Sequence, residues 1–530
     1  MAKKETKQNF LGGAAILAAA VVAVKLIGAV YKIPLGNLLG TQGYAHFMVS
    51  YDIYNVLLTV STAGLPLALS KLVSEAGALG RENEKRKIFR TSLLLFFTMG
   101  SLGTLLMACF PGQLADFMRD SLAMYSIRAL SPAVVCVCLM AAIRGYTQGQ
   151  GNMKPTAISQ ILEAACKLGI GLSLAWFFLQ QGKGVEISAA GAIFGVTIGT
   201  AASLVFLTGH LVRRRHHVES LDVPASSGTL LKRLLVIGIP ITISNSAMAI
   251  ITLLDTRIVL ERLQILPGVT QMMATDLFGR YKFCMNLFNL PGSFVYPVIM
   301  SLIPAVSAAV ARRDGAGANR IVSSGFRLIA LLALPAGIGL SVLAGPILRL
   351  LYPSQLETAI AAEPLMEVLG IASIFVCVMI LTNAILQSQG KERIPIYTMV
   401  AGGVVKIVTN YILVGNPEIG IAGAPISTLL CYLVIAGLNL FFVYRASLEK
   451  PRYAALFLKP IVASALMGLS ARVTYQLVSG SCSNALSTFV AIGVAVAVYG
   501  ILVLALRILT AEDLKSLPGG AKIAQRLHIR

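Results

Sequence analysis

The residues with chemistry to offer are charges placed inside long apolar runs or just past the end of one: Lys25, Asp52, Arg128, Lys167, Asp255, Arg257 and Lys406. A charge in hydrocarbon is costly unless it faces water or a partner, so each of these is a candidate binding residue. Lys25 lies deep in its run for a lysine that snorkels to an interface. Glu163 stands one turn before Lys167, so an intrahelical ion pair is expected to offset that lysine. Lys406 has Gly402 at the corresponding place. Cations outnumber carboxylates in this set, and an anion compensates a cationic pocket. Phosphate or pyrophosphate headgroups fit that chemistry; organic cations do not. Arg472 is read as a lipid or helix contact. The sequence has no Walker loop, nucleophile elbow or paired-carboxylate arrangement, so neither ATP hydrolysis nor bond chemistry is expected. Its eight cysteines lack metal-ligand spacing, and neither a metal site nor a disulfide framework is expected.

The elements that hold these charges are membrane helices. Hydrophobic residues make up 56% of the 530, charged residues 13%, and mean hydropathy is +0.78. No soluble domain has that balance. Fourteen apolar runs long enough to cross a hydrocarbon core of roughly 30 Å are predicted. They cover 10–30, 46–69, 93–110, 124–143, 157–179, 188–210, 234–255, 283–305, 328–349, 365–386, 396–414, 420–444, 460–478 and 487–507. The net charge of +21 does not point to nucleic acid, because the basic residues collect on alternate loops: 31 border one set and eight the other. By the positive-inside rule both termini are cytoplasmic, and the first run, interrupted by Lys25, is an uncleaved helix.

The chain also repeats. At a shift of 237 residues Tyr44, Leu65, Ala68, Ser70 and Gly80 fall on Tyr281, Leu302, Ala305, Ser307 and Gly317, and at 239 Lys167 falls on Lys406. Six spans per copy make the repeat parallel. The expected fold is therefore an all-α polytopic membrane protein with two six-helix lobes around a central cleft and two extra helices. The N-lobe is 1–217, the C-lobe 218–446, and the accessory helices and tail 447–530. Symmetry would aim Lys167 and Lys406 at the axis.

Several motifs carry a family resemblance. They are Lys25-Leu-Ile-Gly-Ala-Val-Tyr31-Lys-Ile-Pro34-Leu-Gly-Asn-Leu-Leu-Gly40, Tyr51-Asp-Ile-Tyr54, Gly64-Leu-Pro-Leu-Ala-Leu-Ser70, Gly145-Tyr-Thr-Gln148-Gly-Gln150-Gly151 and the closing Leu509-Thr-Ala-Glu-Asp-Leu-Lys-Ser-Leu-Pro518-Gly. Together they resemble the stage V sporulation protein B and polysaccharide-transporter branch of the multidrug/oligosaccharidyl-lipid/polysaccharide superfamily. The resemblance implies fourteen-helix flippases for undecaprenyl-pyrophosphate-linked sugars, a branch that includes lipid II flippases. Lys25 is then at the position of a cleft-lining arginine. Tyr31 stands at a second basic position, and Leu57 and Leu58 stand where the relatives have paired basic residues. The sodium ligands of some relatives correspond to Asp255, Asn410 and Thr428, with Lys406 beside them as a resident ammonium in place of the ion.

The expected activity is translocation of a lipid-linked envelope precursor, most simply lipid II, across a bacterial plasma membrane by alternating access. No cofactor is expected beyond a coupling ion, sodium or proton, or the membrane potential. The expected partners are the lipid-linked oligosaccharide, the bilayer and envelope-synthesis proteins, with no nucleic acid. The alternatives are a cation-coupled multidrug exporter of the same fold, an exporter of another lipid-linked polysaccharide unit, and a non-transporting scaffold.

Overall fold

Within a bilayer every backbone N–H and C=O must be satisfied internally, and this chain does so with helices. The computed structural model describes residues 2–213, 220–447 and 449–508; Arg214 and the closing Leu509–Gly519 motif lie outside them. Among the described residues there is no strand. These residues form two compact units. One comprises the described residues up to Gln264 with Gly268–Gly279, the other Ile265–Pro267 with the described residues from Arg280 onward.

The first unit holds α1 (Ala2–Thr62), α2 (Leu65–Ala78), α3 (Glu82–Cys109), α4 (Pro111–Phe117), α5 (Met124–Gly149), α6 (Lys154–Cys166), α7 (Leu172–Gln180), α8 (Val185–Arg213) and α9 (Ser227–Gln264). It also takes the first half of α10 (Gln271–Phe288). α5 packs on α8 and α3, and α9 lies against α1 and α2. Glycines permit the close crossings. A Cβ at Gly64 would stand 2.2 Å from the Gly238 carbonyl oxygen and 2.6 Å from Thr242 Oγ1, so the joint between α1 and α2 is gripped by α9. α1 is not one rod: Gly40 has φ 66° and ψ −174°, outside helical space in a region open to glycine.

The loop before α9 is clamped to α3. The Asp222 carboxylate accepts from the amides of Asn83 (3.0 Å) and Glu84 (2.8 Å), and the Asn83 side chain donates to the Ser220 and Asp222 carbonyls. Burial pushes the Asp222 carboxyl up, but hydrogen bonds from Ser220 and these amides outweigh it and hold its pKa below the ordinary value.

The second unit holds α11 (Leu290–Ala311), α12 (Gly315–Val342), α13 (Ala344–Leu351), α14 (Leu356–Ala361), α15 (Glu363–Ser388), α16 (Arg393–Leu413), α17 (Gly423–Ala446), α18 (Tyr453–Ser479) and α19 (Asn484–Ala505). α15 packs on α17 and α12, and its core includes Val295, Phe326, Leu381 and Ile385. α18 and α19 pair with each other, and α18 docks on α12. Large apolar side chains such as Leu102 (68% exposed), Val205 (72%) and Leu477 (76%) point outward. An apolar exterior of this kind belongs in lipid.

This is an all-α polytopic membrane fold, but with fewer uninterrupted spans than predicted. Among the described residues eleven helices are long and apolar enough to cross a bilayer, or twelve if α9, bent by 43° between Ile243 and Ser246, is counted as one. The difference from fourteen is local. The runs at 10–30 and 46–69 are joined through α1, and the 283–305 run is interrupted at Asn289, between α10 and α11.

Candidate functional site

Four rings line one face of α1. Tyr44, Phe47, Tyr51 and Tyr54 follow an i, i+3, i+7, i+10 spacing, which keeps them on one stripe of a helix. They touch in series, with Phe47 and Tyr51 stacked at 6.1 Å and 8°. The break at Gly40 lets Tyr31, from the earlier part of α1, come to 6.0 Å from Phe47. Tyr31 is fully buried, and its hydroxyl donates to the Ala192 carbonyl of α8 at 3.3 Å.

Lys167 enters this group of rings from the other side. Its Nζ is 4.6 Å from the Tyr51 centroid, 5.1 Å from Tyr31 and 5.9 Å from Phe47. Contacts of this kind are worth about 0.5–2 kcal/mol each, the more so when desolvated. The lysine begins a π-helical turn, Lys167–Gly171, between α6 and α7. Such turns insert a residue into a helix and are frequent at functional positions. The turn is pressed against α8: a Cβ on Gly195 would lie 2.4 Å from Gly171 Cα.

Among the described residues Lys167 forms no ion pair. The intrahelical pair expected with Glu163 is replaced by one across helices: Arg144 of α5 donates from Nη2 to Glu163 Oε2 at 3.3 Å and from Nε to Ser159 Oγ at 3.0 Å. Arg144, which in the sequence belongs to a loop-bordering basic pair with Lys154, is thus a member of the site's surroundings. Sequence reasoning missed it. It also left the aromatic spacing unused, although that spacing is readable.

The other candidates fall into separate places. Lys25 is half-buried on α1, and Arg128 is exposed on α5. Asp52 is buried and accepts from Thr256 Oγ1 of α9 at 2.7 Å; Asp255, the residue before Thr256, is buried as well. Arg257 is turned toward α4, with its guanidinium 4.2 Å from the Phe117 ring centroid and Nε 3.8 Å from Glu261. Glu261 also pairs with Arg119 at 3.4 Å. In the second unit Lys406 and Asn410 are buried one turn apart on α16. Thr428 of α17 is buried, donates to the Ala424 carbonyl at 2.9 Å and lies 2.9 Å from the Tyr281 hydroxyl. Among the described residues no three His, Cys, Asp or Glu side chains gather as metal ligands.

The second unit also contains an almost wholly apolar cavity of about 470 Å³. Pro291 and Phe294 of α11, Pro335 of α12, Met467 of α18 and Tyr499 of α19 are among its walls. Its lining can hold a hydrocarbon and offers little to a polar group.

Comparisons with known proteins agree with this architecture. Residues 10–310 match the family model described as polysaccharide biosynthesis protein, and residues 269–412 match that of MatE. Stage V sporulation protein B of Bacillus subtilis (strain 168) is 26% identical over 99% of this chain and 100% of its own length. Lipid II flippase MurJ of the same organism is 25% identical over 88% of each chain. A solved structure of a lipid II flippase MurJ in an inward closed conformation superposes with a TM-score of 0.70 at 14% identity, covering 92% of this chain and 98% of that one. The MurJ relatives are lipid II flippases rather than enzymes. With more than half its length matched, this chain belongs to the polysaccharide biosynthesis protein family, and it shares its fold with the MurJ structure.

Proposed function

We propose that this transporter carries an undecaprenyl-pyrophosphate-linked envelope precursor, lipid II, from the inner to the outer leaflet of a bacterial plasma membrane, with both termini cytoplasmic. The observation that carries the reading is the ammonium of Lys167, held at membrane depth by rings rather than by a carboxylate. A half-buried cation held by rings without an ion pair suits a cargo that brings its own negative charge. Lys25 and Lys406 are the further proposed phosphate contacts, with Tyr31, Asp52, Arg128 and Arg257 as more peripheral ones. Asp255 in the first unit, and Asn410 with Thr428 in the second, are the proposed coupling residues for sodium or protons. The polyprenyl tail suits the apolar cavity beside α18 and α19, where no polar group has to be desolvated.

Depletion of the protein tests this reading. Lipid II should accumulate on the inner leaflet, measured by mass spectrometry of the lipid extract together with leaflet-selective labelling. Unchanged amount and sidedness of lipid II on depletion would remove it as the cargo.

A further inference from the structure

On α6 and the turn that follows, Ser159, Glu163 and Lys167 form an i, i+4, i+8 row. In a helix with this sequence the default contact is Glu163 to Lys167, since a glutamate four residues before a lysine is the favoured order. The fold overrides that default. Arg144 from α5 grips the first two members of the row, Ser159 through Nε and Glu163 through Nη2. Its side chain is 17% exposed and that of Glu163 27%, so water competes only partly for this contact. The third member, Lys167, is left to Tyr31, Phe47 and Tyr51. Rings and carboxylates differ in what they leave behind. A carboxylate neutralises an ammonium and occupies its donors, whereas a π-face attracts it without cancelling its charge.

We infer that Arg144 is a positioning residue that keeps Glu163 away from Lys167, so that the ring-held ammonium stays available to a phosphate oxygen. Arg144 need not touch the ligand. It acts by removing an internal competitor, and the aromatic cage holds the lysine where an incoming anion can draw it out. The inference rests on the proposed pyrophosphate cargo and adds the device that makes one lysine a usable contact.

The test uses the full-length chain in nanodiscs, with undecaprenyl pyrophosphate and uncharged undecaprenol as probes, and native mass spectrometry to read their relative retention. Wild type should prefer the pyrophosphate lipid, and Lys167→Gln should lose much of that preference. Arg144→Gln should lower it about tenfold, equivalent to about 1.4 kcal/mol, because Glu163 falls back on Lys167. Arg144→Lys should preserve most of it. The deciding protein is Arg144→Gln/Glu163→Gln, which leaves neither ion-pair partner stranded and so folds even where Arg144→Gln alone does not. It should regain the wild-type preference, since the competitor is gone. A double variant that binds like Lys167→Gln overturns the inference and makes Arg144 a ligand or a structural brace. Full preference in Lys167→Gln also overturns it. Absence of any preference in wild type instead defeats the pyrophosphate reading on which the inference stands.

Discussion

Lys167 and Lys406 occupy equivalent places in the two repeats, and their sequence surroundings suggest unequal roles because Glu163 precedes only the first. The structure removes that inequality by giving Glu163 to Arg144. Lys167→Ala is therefore expected to impair complementation of a flippase-deficient strain as severely as Lys406→Ala, at matched membrane abundance. Growth supported by Lys167→Ala but not by Lys406→Ala would restore the simpler, intrahelical picture. At this scale the sequence was legible in one direction only. Charges inside apolar runs stand out against their neighbours, and Lys167 was visible for that reason. Its surroundings were not, because an i, i+4 count sees contacts along one helix, while Tyr31 reaches Lys167, and Arg144 reaches Glu163, from helices whose facing depends on crossings that no single run encodes. The spacing of Tyr44, Phe47, Tyr51 and Tyr54 was legible too, but an aromatic stripe in a membrane helix does not announce which cation it meets.

At the scale of elements the glycines divide into contacts and passengers. Gly64 meets Gly238 and Thr242 so closely that any side chain must push α9 off the α1–α2 joint, whereas a Cβ at Gly28 meets nothing within 4 Å. Gly64→Val should lower stability by about 1–3 kcal/mol, the usual cost of overpacking. Gly28→Ala should change it by less than about 1 kcal/mol, the scale of the helix-propensity difference. Thermal unfolding of both proteins in the same detergent checks the contrast, and equal midpoints would mean that the α1–α2 joint is not tightly packed. Most helices were readable from apolar length alone, since the bilayer demands it. The breaks were not. A left-handed Gly40, the π turn after Lys167 and the bend in α9 conserve composition while changing direction, so hydropathy passes over them.

For the whole molecule the 31-to-eight asymmetry of loop charges predicts sidedness. Cysteines introduced beside Arg86 and Arg313 should be shielded from an impermeant thiol reagent in intact cells, while one beside Arg119 should react. Labelling of the first two would invert or redraw the topology without touching the fold. The class and the family were legible from composition and from motifs distributed along the chain.

The first unit is closed by residues made long after the helix they close upon. Thr256, whose hydroxyl Asp52 accepts, follows it by 204 residues, and Asp276, which accepts from Thr41, follows that residue by 235. A ribosome adds about 5–20 residues per second, so α1 waits in the bilayer for roughly 10–40 s before the hydroxyl that meets Asp52 exists. Insertion of the first helix and folding of the first unit are thus distinct events in the life of a nascent chain. Between them a carboxylate destined for burial faces lipid or a chaperone of membrane insertion, and a ribosome stalled before Gly279 leaves a product that is inserted but not folded.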